Sequence, residues 1–232
     1  MLWLGIRSVG RVSAPTVKPK RIRVHVVHES RMVAEAISVQ LKTLLPGASV
    51  DGWTKSWETY VSRSGGVADV VVIDNELGNG GPTAFKVSSL VRDGTGVVVL
   101  GRSLYVPAIR RIYEAGAHAY LLPEEPSEAV AAAIWSAYRN TVLRPVRITE
   151  LFGDSEPVAV PVLTARELQV VGAYVSGSGA SVPETAARFG LSSETVRTHI
   201  SHARRKYTGA DGDSVSKMEL RRRMIKDGWI LG

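Results

Sequence analysis

From residue 21 onward, short runs of apolar residues alternate with longer helix-like segments. The apolar runs are "IRVHVV" (22–27), "ASVDGW" (48–53), "DVVVID" (69–74), "GVVVLG" (96–101) and "HAYLL" (118–122). The helix-like segments lie at about 30–44, 55–63, 82–92, 105–115 and 126–141. Apolar strands that alternate with helices predict a parallel sheet that is covered by helices on both faces.

Polar residues follow two of the predicted strands. Asp74 ends the third run, and His28 and Glu29 follow the first. Right-handed crossovers bring the carboxyl ends of parallel strands to one edge of the sheet, where ligands bind. Asp74 is therefore either a chemical centre or a strand-end carboxylate that accepts hydrogen bonds from nearby backbone N–H groups.

Residues 162–232 have a different pattern, which predicts four helices. The first begins at Thr164, with Glu167 completing a capping box, and the others cover about 181–189, 192–207 and 214–226. The turn "FGLSSET" joins the second and third helices, with Gly190 as the residue that ends the second. Two short helices joined by a tight glycine turn are typical of a helix-turn-helix.

The third of these helices has two distinct faces. Val196, Ile200 and Ala203 recur at spacings of four and three, which predicts a buried stripe. A second face is made of arginine and hydroxyl residues that suit base edges in a DNA major groove: Arg197, Thr198, Ser201, Arg204 and Arg205. Ser193 and Thr195 lie at the helix start, where hydroxyl and N–H groups bind phosphate. An ordinary amphipathic surface helix is the alternative, and the glycine turn and the preceding helix favour DNA.

Two flanking segments show no such periodicity. Residues 1–20 hold four basic and no acidic residues, and we expect a disordered basic tail. Residues 141–161 contain three prolines, a glycine and several acids, which predicts an interdomain linker. The sequence therefore divides into a tail, an α/β domain at 21–140, a linker and a helical domain at 162–232.

Charge and composition narrow the function. The 232-residue chain has a net charge of +7; residues 21–140 hold twelve basic and twelve acidic residues, and residues 162–232 hold eleven and seven. A local basic excess favours a polyanionic partner, although a solvated surface explains it as well. The absence of cysteine excludes disulfides and thiolate chemistry. Since no apolar run approaches the roughly 18 residues of a membrane helix, we expect a cytoplasmic protein with no membrane partner.

Two motifs resemble a known family. "LTARE" (163–167) and "SSETVRTHISHARRKY" (192–207) resemble the LuxR-type helix-turn-helix, whose members have L-T-x-R-E and later S-x-x-T-V-[KR]-x-H. Together with the α/β body, the chain resembles a response regulator of the NarL/FixJ type. The resemblance implies an α/β fold, namely a five-stranded, doubly wound, flavodoxin-like receiver, joined to a small all-α DNA-binding domain.

The resemblance also implies roles for C-terminal residues. Arg197, Thr198 and Ser201 lie where the family contacts bases, and Thr195, Arg205 and Lys206 are phosphate contacts. The last helix corresponds to the family's dimerisation helix, with candidate seam residues Met218, Met224, Ile225 and Trp229. Packing of that helix on its own domain explains these apolar residues equally well. Thr185 departs from the isoleucine that the family prefers, and "SGSGASVPET" is longer than the usual turn.

The α/β body departs from a working receiver. In the family, two acids after the first strand hold Mg²⁺, and an aspartate after the third takes the phosphoryl group. Asp74 aligns with that aspartate, and Glu29, Asp74 and the Glu76 carbonyl are the candidate metal ligands. His28 replaces the second acid and is a poor partner for a hard cation. We therefore expect no cofactor other than a doubtful Mg²⁺.

The two groups that bind phosphoryl oxygens in the family are also replaced. Gly101 stands in place of the hydroxyl residue after the fourth strand, with Ser103 two residues later. Pro123 stands where lysine is expected after the fifth strand, and it offers neither a charge nor an N–H. Tyr120 occupies the position of the family's switch aromatic residue, although an ordinary core aromatic residue explains it as well. These substitutions predict an atypical receiver.

The hypothesis is a sequence-specific DNA-binding transcription regulator, acting as a homodimer, whose receiver-like domain works without phosphorylation, by dimerisation or by sensing another signal. The main alternative is an ordinary two-component regulator phosphorylated on Asp74 by a sensor kinase. An α/β enzyme is disfavoured, because no Gly-rich phosphate loop or Ser/His/Asp triad accompanies Asp74. A sigma-like polymerase subunit is disfavoured because a second helical domain is lacking. RNA polymerase is a further candidate partner, and the sequence leaves the target operator and the signal open.

Overall fold

The computed structural model describes residues 21–63, 68–77, 82–153, 161–176, 180–208 and 215–230. Its strands are β1 (Ile22–Val27), β2 (Ala48–Thr54), β3 (Val70–Asp74), β4 (Gly96–Leu100) and β5 (Ala119–Leu121). They form one sheet in the order β2-β1-β3-β4-β5, and every neighbouring pair is parallel. The predicted five-stranded parallel sheet is thus confirmed. The predicted tail at 1–20 lies outside the described residues.

Five helices cover the sheet: α1 (Arg31–Leu44), α2 (Trp57–Arg63), α3 (Thr83–Arg92), α4 (Val106–Glu114) and α5 (Ser127–Tyr138). Helices α1 and α5 pack on one face, and α2, α3 and α4 pack on the other. Two cores result, one on each side of the sheet. The predicted doubly wound arrangement is confirmed.

Strand β3 explains why its sequence is an unbroken apolar run. Val70 and Val72 belong to the core under α1 and α5, whereas Val71 and Ile73 belong to the opposite core. Side chains alternate between the two faces of a strand, so a strand covered on both faces needs apolar residues at every position. Asp74 ends the run at the sheet edge.

The segment predicted as a linker contains a helix, α6 (Val146–Phe152). Ile148 on this helix is fully buried in the core on the α2–α4 side. The prolines indicated a linker without a helix. Proline is, however, compatible with a helix start, and Pro145 stands directly before α6. Residues 154–160 of the predicted linker lie outside the described residues.

The C-terminal residues form α7 (Ala165–Val175), α8 (Val182–Phe189), α9 (Ser193–Thr208) and α10 (Lys217–Lys226) around a third core. The predicted capping box of Thr164 and Glu167 begins α7. Gly190 ends α8 in the left-handed conformation, with φ 61°, as predicted. No helix in the described part of the chain is long and apolar enough to span a membrane.

Candidate nucleic-acid interface and strand-end cavity

Helix α9 begins at a pair of hydroxyl residues. The Ser192 hydroxyl accepts a hydrogen bond from the Thr195 backbone N–H at 3.0 Å, and the two hydroxyl oxygens lie 2.9 Å apart. Ser192 therefore caps the helix and satisfies one of its free N–H groups. The Thr195 hydroxyl, a predicted phosphate contact, has a partner in its own turn that a phosphate oxygen would replace.

The buried stripe of α9 is the one that the sequence predicted. Val196, Ile200 and Ala203 are buried against the rest of the helical domain. Four of the exposed residues belong to the face that was predicted to contact DNA: Arg197, Thr198, Ser201 and Arg205. A polar helix face with no covering element in the described part of the chain is open to a large partner. We call these four residues the open face of α9.

Arg197 is free to leave its present partner. One of its terminal guanidinium nitrogens lies 3.7 Å from Glu194 Oε2, and the two side chains are 61% and 82% exposed. Exposed ion pairs contribute little stability because water screens them. The guanidinium can therefore exchange Glu194 for a base edge or a phosphate at low cost.

Three residues that were predicted to contact DNA do not belong to the open face. Ser193, Thr195 and Arg204 are half-buried. Arg204 Nε is buried and has no hydrogen-bond partner within the described residues. Arg204 thus lies beside the open face, where the helical periodicity alone had placed it on that face.

Lys206 forms an ion pair with Glu167 that the sequence did not predict. Its ammonium lies 2.6 Å from Glu167 Oε2, and the same oxygen accepts a hydrogen bond from the Thr164 N–H at 2.7 Å. Burial opposes ionisation of Glu167, but these hydrogen bonds outweigh it and lower the pKa of Glu167. Lys206 therefore joins the end of α9 to the start of α7, which is a structural role beside the phosphate contact that was predicted.

Thr185 is accommodated where the family prefers an apolar residue. It is 1% exposed, and its hydroxyl donates to the Ser181 carbonyl oxygen at 2.9 Å. A buried hydroxyl needs such a partner, and the carbonyl one turn earlier supplies it. The departure at Thr185 thus leaves α8 intact. The middle of the long turn, residues 177–179, lies outside the described residues.

The four residues of the predicted dimer seam differ in their exposure. Met218 is 74% exposed, and Ile225 is half-buried. Met224 and Trp229 are buried in the core of their own domain, so they are not available to a second copy in this arrangement. The sequence pattern could not distinguish a dimer seam from packing of α10 on its own domain, because both need an apolar helix face.

The end of α10 docks on α4 of the α/β domain. Tyr105 Oη donates to the Lys226 carbonyl oxygen at 2.6 Å, and Arg111 Nε donates to the Asp227 carbonyl oxygen at 3.3 Å. The Arg111 guanidinium also lies 4.2 Å from the centre of the Trp229 ring. These contacts use α4 and α10 and leave the open face of α9 uncovered.

A cavity of about 600 Å³ opens at the carboxyl ends of the strands. His28, Glu29, Asp74 and Glu76, which the sequence brought to this edge, all line it. The Gly101 and Pro123 positions line it too. We call it the strand-end cavity.

Asp74 is held at the edge of this cavity by its neighbours. Its Oδ1 accepts a hydrogen bond from the Glu76 N–H at 2.9 Å, so both roles foreseen for this carboxylate remain open. Its Oδ2 lies 3.7 Å from His28 Nε2, beyond hydrogen-bond range. His28 Nδ1 accepts from the Ser30 N–H at 2.9 Å. The hydrogen of a neutral His28 ring is therefore on Nε2, facing Asp74.

Glu76 is a second carboxylate in the same place. Its Oε1 accepts a hydrogen bond from the Arg102 N–H at 3.0 Å, and its Oε2 lies 3.8 Å from Arg102 Nε. Burial raises the pKa of Glu76, and the adjacent Asp74 raises it further. The two carboxylates therefore repel each other, and the exposed Arg102 side chain neutralises them only in part.

The described residues bring few ligands for Mg²⁺ together at this edge. Within the described ranges, no three His, Asp or Glu side chains are grouped so that they can hold a metal ion. Glu29 is exposed at the cavity rim, and one Asp74 oxygen is used by the Glu76 N–H. Magnesium demands near-octahedral oxygen ligands, and His28 supplies none.

The groups that would bind phosphoryl oxygens are replaced in structure as well as in sequence. Tyr120 is fully buried beside Gly101, and its hydroxyl donates to the Ser103 carbonyl oxygen at 2.9 Å. The Ser103 hydroxyl accepts from the Tyr105 N–H at 3.2 Å at the start of α4. Ser103 therefore does not stand in for the missing hydroxyl. Pro123 is exposed and carries no charge to the cavity.

A buried lysine was missed by the sequence analysis. Lys86 on α3 is 0% exposed, and its ammonium donates to the Leu77 carbonyl oxygen at 2.9 Å. Burial lowers the pKa of Lys86 to about 8, against the attraction of Glu58 and Asp74. A lysine in a helix is expected to face solvent, so no local signal could have found it.

Comparison with known proteins supports the resemblance of the C-terminal domain. Residues 161–208 match the family described as bacterial regulatory proteins, luxR family. The match covers α7, α8 and α9, including the open face. These residues therefore form a luxR-family helix-turn-helix domain.

Two curated relatives extend the similarity. The chain is 28% identical over 187 residues to the response regulator RamR of Streptomyces coelicolor, covering 80% of this chain and 89% of RamR. It is 29% identical over 135 residues to the transcriptional regulatory protein DesR of Bacillus subtilis. The latter match spans 57% of this chain and 63% of DesR, which is less than two thirds of that relative.

Solved structures share the fold at low sequence identity. The RcsB response regulator in complex with DNA has a TM-score of 0.56 and 15% identity, covering 89% of this chain and 98% of that one. A structure of two RcsB dimers bound to two parallel DNAs has a TM-score of 0.54 and 13% identity, with the same coverage. The resemblance to response regulators with a LuxR-type domain is thus confirmed, as is the predicted fold class.

Proposed function

We propose that this protein is a transcription regulator that binds double-stranded DNA in a sequence-specific manner through α9. The observation that carries the proposal is the open face of α9, on which Arg197, Thr198 and Ser201 face solvent while the opposite side is buried. A helix of this kind fits the major groove, where arginine pairs with guanine. RcsB, whose fold the chain shares, is bound to DNA in one of its structures.

Selection of genomic fragments by the purified full-length protein tests this function. We expect a defined set of fragments, with an affinity that falls steeply as salt rises, because phosphate contacts release counterions. Arg197→Ala should relax the selectivity, by about 1–3 kcal/mol at one base pair. Arg139→Ala, an exposed arginine at the end of α5, is the control and should leave it unchanged. Unselective binding by the wild type would contradict the proposal.

We further propose that the receiver-like domain controls DNA binding without phosphorylation of Asp74. A phosphoryl group adds up to about two negative charges, and the cavity already contains Asp74, Glu76 and the rim carboxylate Glu29. Among the described residues that line it, Arg102 is the one arginine or lysine, and its side chain is mostly exposed. Ordinary phosphorylation by a sensor kinase remains the competing function, and enzymatic activity is not part of the proposal.

The DNA-bound form is proposed to be a homodimer. Helix-turn-helix dimers place their recognition helices about one turn of DNA, about 10 bp, apart. Met218, which is exposed on α10, belongs to the proposed seam, and Ile225 borders it. Footprinting with the full-length protein should show two protected half-sites, and a single half-site at monomer stoichiometry would contradict dimeric binding.

A further inference from the structure

The strand-end cavity has one acidic side and one apolar side. Asp74 and Glu76 lie on the acidic side, with Glu29 and Glu125 also lining the cavity. The apolar side is built by Val33 and Ile37 of α1, Leu121 of β5 and Val130 of α5. At about 600 Å³, the space is large enough for a small organic molecule.

The acidic side has an excess of negative charge. Asp74 is 8% exposed, its Oδ1 accepts a hydrogen bond from the Glu76 N–H, and its Oδ2 lies 3.7 Å from His28 Nε2. A mostly buried carboxylate is costly unless it is paired with a cation. The adjacent Glu76 adds like charge, and Arg102 approaches from the solvent side with a side chain that is 76% exposed.

The apolar side decides which kind of cation fits. A hydrated inorganic ion would leave the accessible surface of Val33 and Val130 in contact with water, and no three-ligand group is present in the described ranges. An anionic ligand would meet four carboxylates. A positively charged group attached to an apolar body satisfies both sides at once, because the charge pairs with the carboxylates while the body displaces water.

We propose that the strand-end cavity binds a small organic cation, a protonated amine carried on an apolar body. The ammonium lies between Asp74 Oδ2 and the Glu76 carboxylate. The apolar body lies along Val33 and Val130.

The cavity is linked to the helical domain through the β4–α4 loop, residues 101–105. At one end of the loop the Arg102 N–H donates to Glu76, and at the other Tyr105 Oη donates to the Lys226 carbonyl oxygen. A cation that pairs with Glu76 changes the charge at the first contact. The amine is therefore also proposed to be the signal that alters DNA binding, and this second part rests on the proposed function.

Calorimetric titration of the full-length protein without DNA tests the site. The probe is n-octylamine, with 1-octanol and octanoate as neutral and anionic equivalents of the same length. We expect the amine to bind about tenfold or more tightly than the alcohol, and octanoate not to bind. Shortening the amine should weaken binding by up to about fourfold for each methylene removed. Equal binding of amine and alcohol would overturn the proposal.

Variants locate the binding. Asp74→Asn and Glu76→Gln should each weaken the amine and leave the alcohol unchanged, so that a folding defect, which would affect both ligands, is distinguished. Glu124→Gln is the control, because Glu124 is exposed and does not line the cavity. Retention of full amine affinity in both cavity variants, or displacement of the amine by millimolar Mg²⁺ in the wild type, would overturn the assignment.

The regulatory part has its own readout. Saturating n-octylamine should change the DNA affinity of the wild type, whereas Tyr105→Phe should bind the amine normally and lose that change. An unchanged DNA affinity in the wild type would overturn regulation by the amine but not the site. Absence of DNA binding both with and without the amine would count against the proposed function alone.

Discussion

The ring of Tyr120 occupies the space in which a side chain at position 101 would lie. A Cβ on Gly101 would collide with Tyr120 Oη and would lie 2.6 Å from Cζ and 2.9 Å from Cε2 of the same ring. The family's hydroxyl residue after the fourth strand is thus incompatible with Tyr120 in its buried position. The buried position of Tyr120 therefore requires glycine at position 101.

Restoring a hydroxyl residue at this position should therefore destabilise the fold. We expect Gly101→Thr to lower the free energy of unfolding by about 1–3 kcal/mol, because the buried ring cannot move without disturbing the core. Urea denaturation measures the change. Gly47→Thr is the control, since a Cβ at Gly47 meets nothing within 4 Å.

A double variant separates this clash from other effects. Tyr120→Ala alone should cost about 3–5 kcal/mol through the cavity that it leaves. In the combined variant the threonine enters space that the ring has vacated, so the total loss should be smaller than the sum of the two single losses. Simple additivity would show that the two positions do not compete for the same space.

Asp74→Asn should leave DNA affinity within about twofold of the wild type, because the Asn side-chain oxygen can still accept the Glu76 N–H. Incubation with acetyl phosphate and Mg²⁺ should give no stoichiometric phosphoryl adduct by intact mass. An adduct together with a tenfold change in affinity, about 1.4 kcal/mol, that the Asn variant lacks would establish phosphorylation as the switch.

Lys86→Met should raise the free energy of unfolding at pH 7. Lowering the pKa of this lysine from 10.5 to about 8 corresponds to a cost on the order of 3 kcal/mol for keeping the buried charge. Loss of the hydrogen bond to the Leu77 carbonyl oxygen returns about 1 kcal/mol of that. The expected net gain is about 1–3 kcal/mol by urea denaturation, and the exposed Lys42→Met should give no such gain.

The same lysine predicts a pH dependence. Between about pH 8 and pH 10.5 the unfolded chain binds a proton at this side chain and the folded chain does not, so stability rises with pH over this window. Lys86→Met should lack that rise, and its advantage over the wild type should shrink as pH increases. A constant difference from pH 7 to pH 10 would show that the pKa of Lys86 is not lowered in the folded protein.

The sequence predicted what depends on local periodicity. The run Val70–Ile73 identified a strand covered on both faces, and Val196, Ile200 and Ala203 identified the buried side of α9. The strand-end position of Asp74 followed from the handedness of parallel crossovers. Each of these signals lies within one element or in the order of elements.

What the sequence did not predict depends on contacts between distant elements. Lys206 pairs with Glu167, 39 residues earlier, and no pattern in α9 distinguishes that lysine from a phosphate contact. Lys86 is polar in a segment whose neighbours are apolar, so its burial contradicts its residue type. The fit of Tyr120 against Gly101 requires the packing of β4 beside β5. The contact of Trp229 with Arg111 likewise depends on how the two domains pack against each other, which no local pattern encodes.

Gly228→Ala should release the helical domain from α4. Gly228 has φ +76°, which disfavours other residues, and a Cβ there would collide with the Pro107 and Ala108 backbone of α4. Gly190 provides the matched control, because it has φ +61° but meets nothing within 4 Å. Gly190→Ala should therefore cost about 1 kcal/mol of stability through backbone strain and leave the domain arrangement unchanged. Gly228→Ala should carry a similar strain and, in addition, increase the radius of gyration measured by small-angle X-ray scattering. If both variants scatter as the wild type does while remaining folded by circular dichroism, the contact of Gly228 with Pro107 does not hold the domains together in solution.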